Sequence, residues 1–343
     1  MKALFIGGTG TISAAISRKL LEQGWELYLL NRGNRNTVFG EVGEHGKLIE
    51  VHCDINDETD ATSKLRGLTF DVAADFIAFG PEQVERDFRL FKDKVKQYIF
   101  ISSASAYQKP ASDYRVSEAT PLANPFWEYS RDKIECEEFL LRMYREQGFP
   151  ITIIRPSHTY DERNVPLGVH GKNGSWQVVK RILDGKPVII HGDGASLWTM
   201  THNSDFANGF IGLMGNIHAV GEAVQITSDE TLTWNQIYAA IAQALGKPLK
   251  AAHISSDFLA AAGPYNFEGG LIGDKANSVV FDNTKLKRLV PGFTARVRFD
   301  QGLCHTINYV LSHPEYQIED PEFDEWCDKI IAVREKALAE LRG

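Results

Sequence analysis

The sequence lacks the features that mark membrane, secreted and metal-binding proteins. No apolar run approaches the roughly 20 residues needed to span a bilayer, and the apolar start at residues 3–6 is too short for a signal peptide. The cysteines are scattered and form no CxxC pair, so neither a disulfide framework nor a zinc site is predicted. We therefore expect a cytoplasmic protein that makes no membrane contact and holds no metal.

Cationic side chains are also in the minority. Lys and Arg number 37 against 45 Asp and Glu, which gives a formal net charge of −8. An acidic surface repels phosphate backbones, so a nucleic-acid partner is not expected. The remaining composition is that of an ordinary globular protein, and 343 residues are enough to bury a large core.

The first part of the chain alternates short apolar segments with helical patterns. Strands are predicted at 2–6, 25–30, 48–51, 72–76, 97–102 and 151–155, and helices at 11–23, 81–94 and 126–147. Strands that alternate with helices predict βαβ units, a parallel sheet and right-handed crossovers. We therefore expect an α/β protein built on a Rossmann-type doubly wound sheet.

The alternation stops after Pro156. Residues 160–175 are predicted to form a loop, and helices are predicted at 176–183, 204–215, 233–245 and 320–341. We expect residues 1–160 to form the dinucleotide-binding domain, with segments near 200–228 returning to it. Residues 161–343 are then mainly a smaller mixed α/β substrate-binding domain.

A glycine-rich turn joins the first predicted strand to the first predicted helix. Its sequence at 7–13 is GGTGTIS, and this strand–turn–helix context is typical of dinucleotide-binding proteins. Gly7 permits the tight turn, and Gly10 lets the backbone approach a pyrophosphate at the helix N-terminus. With Thr9, Thr11 and Ile12 these glycines form the predicted cofactor turn. The alternative is a glycine turn that binds no ligand.

The end of the second predicted strand bears on the choice of cofactor. Asn31 stands where an acidic residue would bind a ribose 2′-hydroxyl and repel a 2′-phosphate. Arg32 and Arg35 follow and can pair with a phosphate, which favours NADP over NAD, although both can equally be solvated loop residues. Asp54 and Ile55, after the third strand, are predicted to contact the adenine; Asp54 can alternatively be a helix cap or turn residue.

Three polar residues form the predicted catalytic group. Tyr129 and Lys133 are four residues apart on a predicted helix and therefore share one face. A nearby ammonium, together with the positive ring of an oxidised nicotinamide, favours the phenolate, so that Tyr129 can act as acid or base. Ser103 ends the fifth strand, at the sheet edge where ligands bind in open α/β proteins, and can hold a substrate oxygen.

These motifs resemble those of the extended short-chain dehydrogenases/reductases, the NAD(P)-dependent sugar epimerase/dehydratase group. The resemblance extends over nearly the whole chain and includes YIFISSASAY at 98–107, YSRDK at 129–133, IIRPSHTY at 153–160 and MTHNSDFA at 200–207. It implies a Ser–Tyr–Lys triad at Ser103, Tyr129 and Lys133. It also implies a homodimer that pairs through the helix carrying the tyrosine, although an amphipathic helix at 126–147 can equally pack within the chain.

The resemblance further implies that the segment after the sixth strand lies beside the nicotinamide. The predicted cofactor contacts outside the glycine turn and the adenosine region are Ala78, Phe79, Ser102, Tyr129, Lys133, Pro156, Ser157 and His158. His158 can instead be a structural histidine whose hydrogen bonds are satisfied within the protein.

Two departures from the family pattern concern the substrate. Dehydratases and decarboxylases of the group carry an acidic residue after the catalytic Ser or Thr; here Ala104 and Ser105 follow, which disfavours elimination and decarboxylation. Trp198 stands where many nucleotide-sugar enzymes of the group place an arginine on the diphosphate. Ser105, Trp127 and Trp198 are the predicted substrate contacts. The alternatives are a hydroxyl satisfied by the backbone for Ser105 and core packing for Trp127.

The sequence therefore predicts an NAD(P)-dependent oxidoreductase or epimerase. It would transfer hydride at a carbinol or carbonyl of a sugar, nucleotide sugar or similar small molecule. The alternative is a non-catalytic dinucleotide- or RNA-binding protein on the same scaffold, because some members of the family bind RNA. An intact triad and the net charge of −8 both favour the enzyme.

Overall fold

The computed structural model describes residues 1–33 and 46–343. The predicted cofactor residue Arg35 lies outside the described residues. The strands are β1 (Lys2–Ile6), β2 (Glu26–Asn31), β3 (Lys47–His52), β4 (Val72–Asp75), β5 (Tyr98–Ile101), β6 (Arg115–Val116), β7 (Ile151–Pro156), β8 (His158–Tyr160), β9 (Val188–His191), β10 (Leu197–Trp198), β11 (Met200–His202), β12 (Ala223–Ile226), β13 (Leu232–Thr233), β14 (Ala251–Ile254) and β15 (Val280–Phe281).

Helices connect most of these strands. The α-helices are α1 (Ser13–Glu22), α2 (Glu58–Lys64), α3 (Pro81–Phe91), α4 (Glu128–Gln147), α5 (Trp176–Leu183), α6 (Asn203–Leu213), α7 (Trp234–Ala244), α8 (Ser256–Ala261), α9 (Thr284–Leu289), α10 (Phe299–Ser312) and α11 (Pro321–Arg342). A π-helix spans Glu268–Lys275. In the described ranges, no helix has both the length and the apolar character needed to cross a membrane.

Seven strands form one parallel central sheet in the order β12-β7-β5-β4-β1-β2-β3. Chain order runs outward in both directions from β1 and β4, so the crevice between their carboxyl ends is the topological switch point. Ligands of open α/β sheets bind at this position. The predicted Rossmann-type doubly wound sheet is confirmed.

Both faces of the sheet are covered because its strands are apolar on both sides. Successive side chains of a strand point to opposite faces, so Phe5 joins a cluster with Ile16 of α1 and Phe210 of α6. Leu4 joins the opposite cluster with Leu140 of α4. This continuous burial is typical of parallel sheets flanked by helices.

The second half of the chain contributes both to this sheet and to a separate core. β12 pairs with β7, with Val224 opposite Ile154, and α6 packs against α1. Thus segments between 200 and 228 lie with the central sheet. Most of the remaining apolar side chains from 161 onward form another cluster, which includes Trp234 and Phe323. The domain boundaries at 160 and 161 remain a prediction.

Predicted and observed elements differ mainly at their ends and in the second half. The first helix begins at Ser13 rather than 11, because the cofactor turn extends to residue 12. The third helix ends at Phe91 rather than 94. Neither α10 nor the π-helix was predicted.

Candidate active site

The glycine turn after β1 is shaped by one close contact and one open side. Gly7 has a φ of +77°, and a Cβ added there would lie 2.5 Å from the Ile77 side chain. A Cβ added at Gly10 would meet only the Ser13 hydroxyl, at 3.5 Å. A side chain on Gly10 would therefore fill space over the turn that the pyrophosphate of a dinucleotide can occupy.

Ser13 takes the place of the third glycine of the dinucleotide fingerprint, and its hydroxyl fastens the turn. It accepts a hydrogen bond from the Gly10 N–H at 2.9 Å and donates one to the Gly7 carbonyl at 2.8 Å. Across the described ranges, no side chain caps the start of α1. The first N–H groups of a helix have no intrahelical partner and attract anions, so they face the turn as a phosphate-binding site.

A cavity of about 380 Å³ continues from this turn along the ends of β2 and β3. It is lined by Gly7, Thr9, Gly10, Leu30, Asn31, Arg32, Cys53, Asp54, Ile55, Asn56 and Ile77. Every described residue predicted to hold the adenosine half is in this lining, whereas Leu30, Cys53, Asn56 and Ile77 were not predicted to contact the cofactor. The open glycine turn and this cavity of about 380 Å³ fit the pyrophosphate and adenosine of a dinucleotide.

Asn31 and Asp54 both form local hydrogen bonds at this cavity. The Asn31 side-chain oxygen accepts the Gly33 N–H at 2.8 Å. The Asp54 side chain accepts a hydrogen bond from the backbone N–H of Asn56 at 3.0 Å. Asp54 therefore has the turn role that the sequence offered as the alternative to adenine contact. Arg32 is the one Lys or Arg side chain in the described lining of this cavity.

The turn after β4 is held by a buried carboxylate that the sequence analysis did not identify. Asp75 accepts the N–H of Ile77 at 2.6 Å and of Ala78 at 2.9 Å, and Arg86 donates to its other oxygen at 3.1 Å. Ile77 and Phe79 are 40% and 50% exposed beside the switch-point crevice. These apolar side chains form a surface against which a flat ring can pack. An acidic residue ending a strand of alanines was the available signal for Asp75.

The Lys133 ammonium is buried beneath the predicted catalytic tyrosine. It donates to the carbonyl oxygens of Ala78 at 2.6 Å and Ile101 at 2.7 Å. It also lies 4.8 Å from the Phe79 ring centroid and 5.7 Å from that of Tyr129. Burial lowers the pKa of Lys133 to about 8, because its charged form is poorly solvated. One of its three donors remains for another partner.

The Tyr129 phenol lies near Ser103. Burial raises the pKa of Tyr129, and a hydrogen-bonding interaction with the Ser103 side chain offsets part of the rise. Because the pKa of Tyr129 is raised, the phenol is protonated at neutral pH. The phenolate requires a further positive charge next to the ring, such as an oxidised nicotinamide.

Ser103 belongs to a short chain of hydroxyl groups. Ser130 donates its hydroxyl to the Ser105 oxygen at 2.8 Å, and the Ser105 and Ser103 hydroxyls lie 2.9 Å apart. The Ser105 N–H also donates to the Ser103 oxygen at 3.1 Å. Ser105 therefore contacts Ser103 directly and is not satisfied by the backbone alone.

Ser102 is turned away from the crevice. Its hydroxyl donates to Glu137 at 2.5 Å, and Glu137 forms a paired interaction with Arg155 through two hydrogen bonds of 2.9 and 2.5 Å. All three side chains are buried. Any contact of Ser102 with a cofactor must therefore come from its backbone.

A second cavity, of about 270 Å³, contains the predicted catalytic and substrate residues. Its lining consists of Ser103, Ala104, Ser105, Trp127, Tyr129, Pro156, Ser157, His158, Trp198, Asp274 and Lys275. The predicted substrate contacts Ser105, Trp127 and Trp198 thus lie in one cavity with Ser103 and Tyr129. Burial lowers the pKa of His158 to about 3, so this ring is neutral.

Four residues show what sequence reasoning missed or placed elsewhere. Asp274 and Lys275, at the end of the π-helix, line the substrate cavity but were not predicted to bind substrate. Thr11 lines a smaller neighbouring cavity of about 160 Å³ together with His158. Ile12 packs against the apolar cluster that contains Phe5 and is in neither large cavity.

Comparisons with known proteins agree with this fold. The model of the NAD dependent epimerase/dehydratase family matches residues 3–227. The chain is 28% identical over 255 residues to the chloroplast stem-loop binding protein of 41 kDa b of Arabidopsis thaliana, a match that covers 72% of this chain and 64% of that protein. It is 24% identical over 296 residues to 2′-dehydrokanamycin reductase of Streptomyces kanamyceticus, covering 86% and 81% of the two chains.

Solved structures share the architecture over almost the whole chain. The UDP-glucuronic acid 4-epimerase of Bacillus cereus, in complex with UDP-glucuronic acid and NAD, superposes with a TM-score of 0.72 at 19% identity, covering 91% of this chain and 99% of that one. The dTDP-glucose 4,6-dehydratase of Bacillus anthracis, in complex with NAD, has the same TM-score, 0.72, at 19% identity. The family match extends over the glycine turn, the tyrosine helix and β12. The chain therefore belongs to the NAD dependent epimerase/dehydratase family of enzymes.

Proposed function

We propose that this enzyme transfers hydride at a carbinol or carbonyl carbon of a sugar-like small molecule, with Tyr129 as the acid/base. The observation that carries the proposal is the cavity shared by Ser103 and Tyr129, with the Lys133 ammonium beneath the phenol. Either net oxidoreduction or epimerisation, in which hydride leaves and returns within one site, uses this arrangement.

The dinucleotide would be held by groups already described. The glycine turn and the start of α1 would bind its pyrophosphate, and the cavity along β2 and β3 would receive its adenosine. A bound nicotinamide supplies the hydride donor or acceptor. The apolar side chains of Ile77 and Phe79 would exclude water from one side of that ring.

Tyr129 would exchange a proton with the substrate oxygen while Ser103 donates a hydrogen bond to the same oxygen. In the oxidation direction the phenolate accepts the hydroxyl proton; in the reduction direction the phenol returns it. The remaining donor of Lys133 would meet the nicotinamide ribose, and its charge would favour the phenolate. Ala104 and Ser105 offer no carboxylate at the neighbouring carbon, so we propose hydride transfer without elimination.

NADP is the preferred cofactor in this proposal. Asn31 carries no negative charge that would repel a 2′-phosphate, and Arg32 lines the adenosine cavity. The family is described as NAD dependent and the neighbouring structures hold NAD, so the preference for NADP rests on these two residues alone.

A Tyr129→Phe variant tests the acid/base role. A thermal-shift screen of the protein with NADP or NAD would identify, from D-glucose, D-glucosamine and UDP-glucose, the compound that stabilises it most. We expect Tyr129→Phe to keep the stabilisation by cofactor and to lose turnover of that compound by about 10²- to 10⁴-fold. Tyr144→Phe, on the exposed side of α4, is the matched control. Near-normal turnover by Tyr129→Phe would remove Tyr129 from the mechanism.

RNA binding is a second candidate because of the match to a stem-loop binding protein. The net charge of −8 weighs against it, since non-specific RNA binding depends on cationic side chains. Retention of a stem-loop RNA at 50 and 200 mM salt separates the two functions. RNA retention that falls steeply between these concentrations, with no turnover of any of the three compounds, would favour the second candidate.

A further inference from the structure

We infer that Asp274 and Lys275 form the polar wall of the substrate cavity and select a hydroxyl-rich ring that carries no diphosphate. The inference rests on the proposed function, because it requires the cavity of Ser103 and Tyr129 to be the substrate site. It assigns a role to a part of the chain about 145 residues away from the proposed catalytic tyrosine.

The π-helix that carries this wall packs tightly against Trp127 and the segment after β5. A Cβ added at Gly269 would lie 2.5 Å from the Trp127 ring, and one at Gly273 would lie 3.3 Å from the Trp127 Cβ. The side-chain amide of Asn124 donates to the carbonyls of Ser105, at 2.8 Å, and Gly273, at 2.7 Å. Asn124 thereby joins the π-helix directly to the segment that carries Ser103.

The backbone of Lys275 is fixed, whereas its ammonium is only weakly engaged. Its carbonyl accepts hydrogen bonds from the Ser196 hydroxyl at 3.1 Å and the Trp234 indole at 3.2 Å. The ammonium lies 3.3 Å from the Gly270 carbonyl and 3.8 Å from an Asp274 oxygen. Both contacts are long for a charged donor. A substrate oxygen in the cavity therefore offers the ammonium a better partner than the protein does.

Asp274 and Lys275 together present an acceptor and a donor side by side. Burial raises the pKa of Asp274, and the nearby ammonium groups of Lys275 and Lys109 counter that effect. The hydroxyl groups of a sugar both donate and accept, so an adjacent carboxylate and ammonium complement two of them at once. The same carboxylate would repel a phosphate, and a single lysine in the lining does not balance two phosphate charges.

The indoles of Trp127 and Trp198 complete the recognition surface. Trp127 lies 5.0 Å from Tyr129 between ring centroids and offers an apolar face. The Trp198 indole N–H is buried and has no hydrogen-bond partner among residues 1–33 and 46–343. Because this N–H is closed off from the cavity, Trp198 contributes its ring rather than a hydrogen bond to a substrate.

The volume of the cavity agrees with a small ligand. At about 270 Å³ it is smaller than the roughly 300–1,000 Å³ typical of sites for drug-sized molecules. A cavity of this volume holds one sugar ring. A nucleoside diphosphate attached to that ring would have to extend outside the cavity.

Calorimetric titration of the cofactor-loaded protein with D-glucose, D-glucosamine and UDP-glucose tests the inference. We expect glucose or glucosamine to bind, and UDP-glucose to bind no more tightly than glucose. Asp274→Asn and Lys275→Gln should each raise the Kd of the sugar about tenfold or more, because each removes a charged hydrogen-bond partner. Lys275→Arg should restore part of the affinity. Lys336→Gln, at an exposed position of α11, is the matched control and should change nothing.

Three results would overturn the inference: UDP-glucose binding at least tenfold tighter than glucose, neither glucose nor glucosamine binding, or an unchanged Kd in both wall variants. Thermal stabilisation by cofactor shows that each variant is folded. Turnover by Tyr129→Phe separates this inference from the proposed function. If that variant is inactive while the wall variants bind sugar normally, only the inference fails; if it is active, the proposed function fails.

Discussion

The Ser105 hydroxyl lies 2.9 Å from the Ser103 hydroxyl, and the Ser105 N–H donates to the same Ser103 oxygen at 3.1 Å. Because Ser130 donates its own proton to Ser105, the Ser105 proton is directed toward Ser103. The Ser103 oxygen then accepts two hydrogen bonds, and its own proton is left for the Tyr129 oxygen, with which it interacts, or for a substrate oxygen placed between the two side chains. In the proposed mechanism, this arrangement orients Ser103 as a donor before substrate binds.

Ser105→Ala should therefore lower kcat more than it raises KM. The variant loses one hydrogen bond that orients Ser103, which corresponds to about a 2- to 10-fold effect. Steady-state kinetics of the sugar identified by thermal shift measure this division. Ser130→Ala should have a smaller effect in the same direction, and Ser312→Ala, at an exposed site, should have none. A Ser105→Ala enzyme with only a raised KM would assign Ser105 to substrate binding instead.

Arg32→Ala should weaken NADP far more than NAD. The variant removes the cation that lines the adenosine cavity, and only NADP carries a phosphate at the 2′ position. Asn31→Asp should shift the preference in the same direction by adding a negative charge. Fluorescence titration of both cofactors measures the ratio of the two Kd values, with the exposed Arg18→Ala as control. Equal weakening of NADP and NAD by Arg32→Ala would remove the preference for NADP.

The raised pKa of Tyr129 predicts how the rates of alcohol oxidation and carbonyl reduction depend on pH. Since burial keeps the phenol protonated at neutral pH, alcohol oxidation, which needs the phenolate, should accelerate as pH rises from 7 to 9. Carbonyl reduction needs the phenol, which stays almost fully protonated below its raised pKa, so the reduction rate should change little over the same range. Initial rates in both directions measure this, and Tyr129→Phe should lose the dependence. Oxidation that slows with rising pH would show that another group is the base.

The parts of the site that the sequence predicted depend on short-range chemistry. The glycine turn, Ser13 and the Tyr129–Lys133 pair each act through neighbours within one turn or one helix. Their spacing in the sequence was therefore enough to predict them. Asp274 and Lys275 follow Tyr129 by about 145 positions and reach it through a π-helix, which has no sequence period of its own. Their role depends on how Gly269 packs against Trp127, a tertiary contact that no local pattern specifies.

The buried Glu137–Arg155 pair contacts Ser102, the residue next to the proposed catalytic Ser103. Glu137 accepts two hydrogen bonds from Arg155, at 2.9 and 2.5 Å, and one from Ser102, which precedes Ser103. Both charged side chains are almost fully excluded from solvent. Removing one charge leaves the other buried without its partner, which is more costly than the net stabilisation that the pair provides.

Glu137→Gln should therefore lower the free energy of unfolding by about 3–5 kcal/mol. The double variant Glu137→Met with Arg155→Met should recover most of this loss, because it buries no unpaired charge. Asp60→Asn, in an exposed pair with Lys64, is the control and should cost at most about 1 kcal/mol. Urea unfolding of the cofactor-free protein measures all three. A Glu137→Gln protein as stable as the Asp60→Asn control would show that Arg155 finds another partner or solvent.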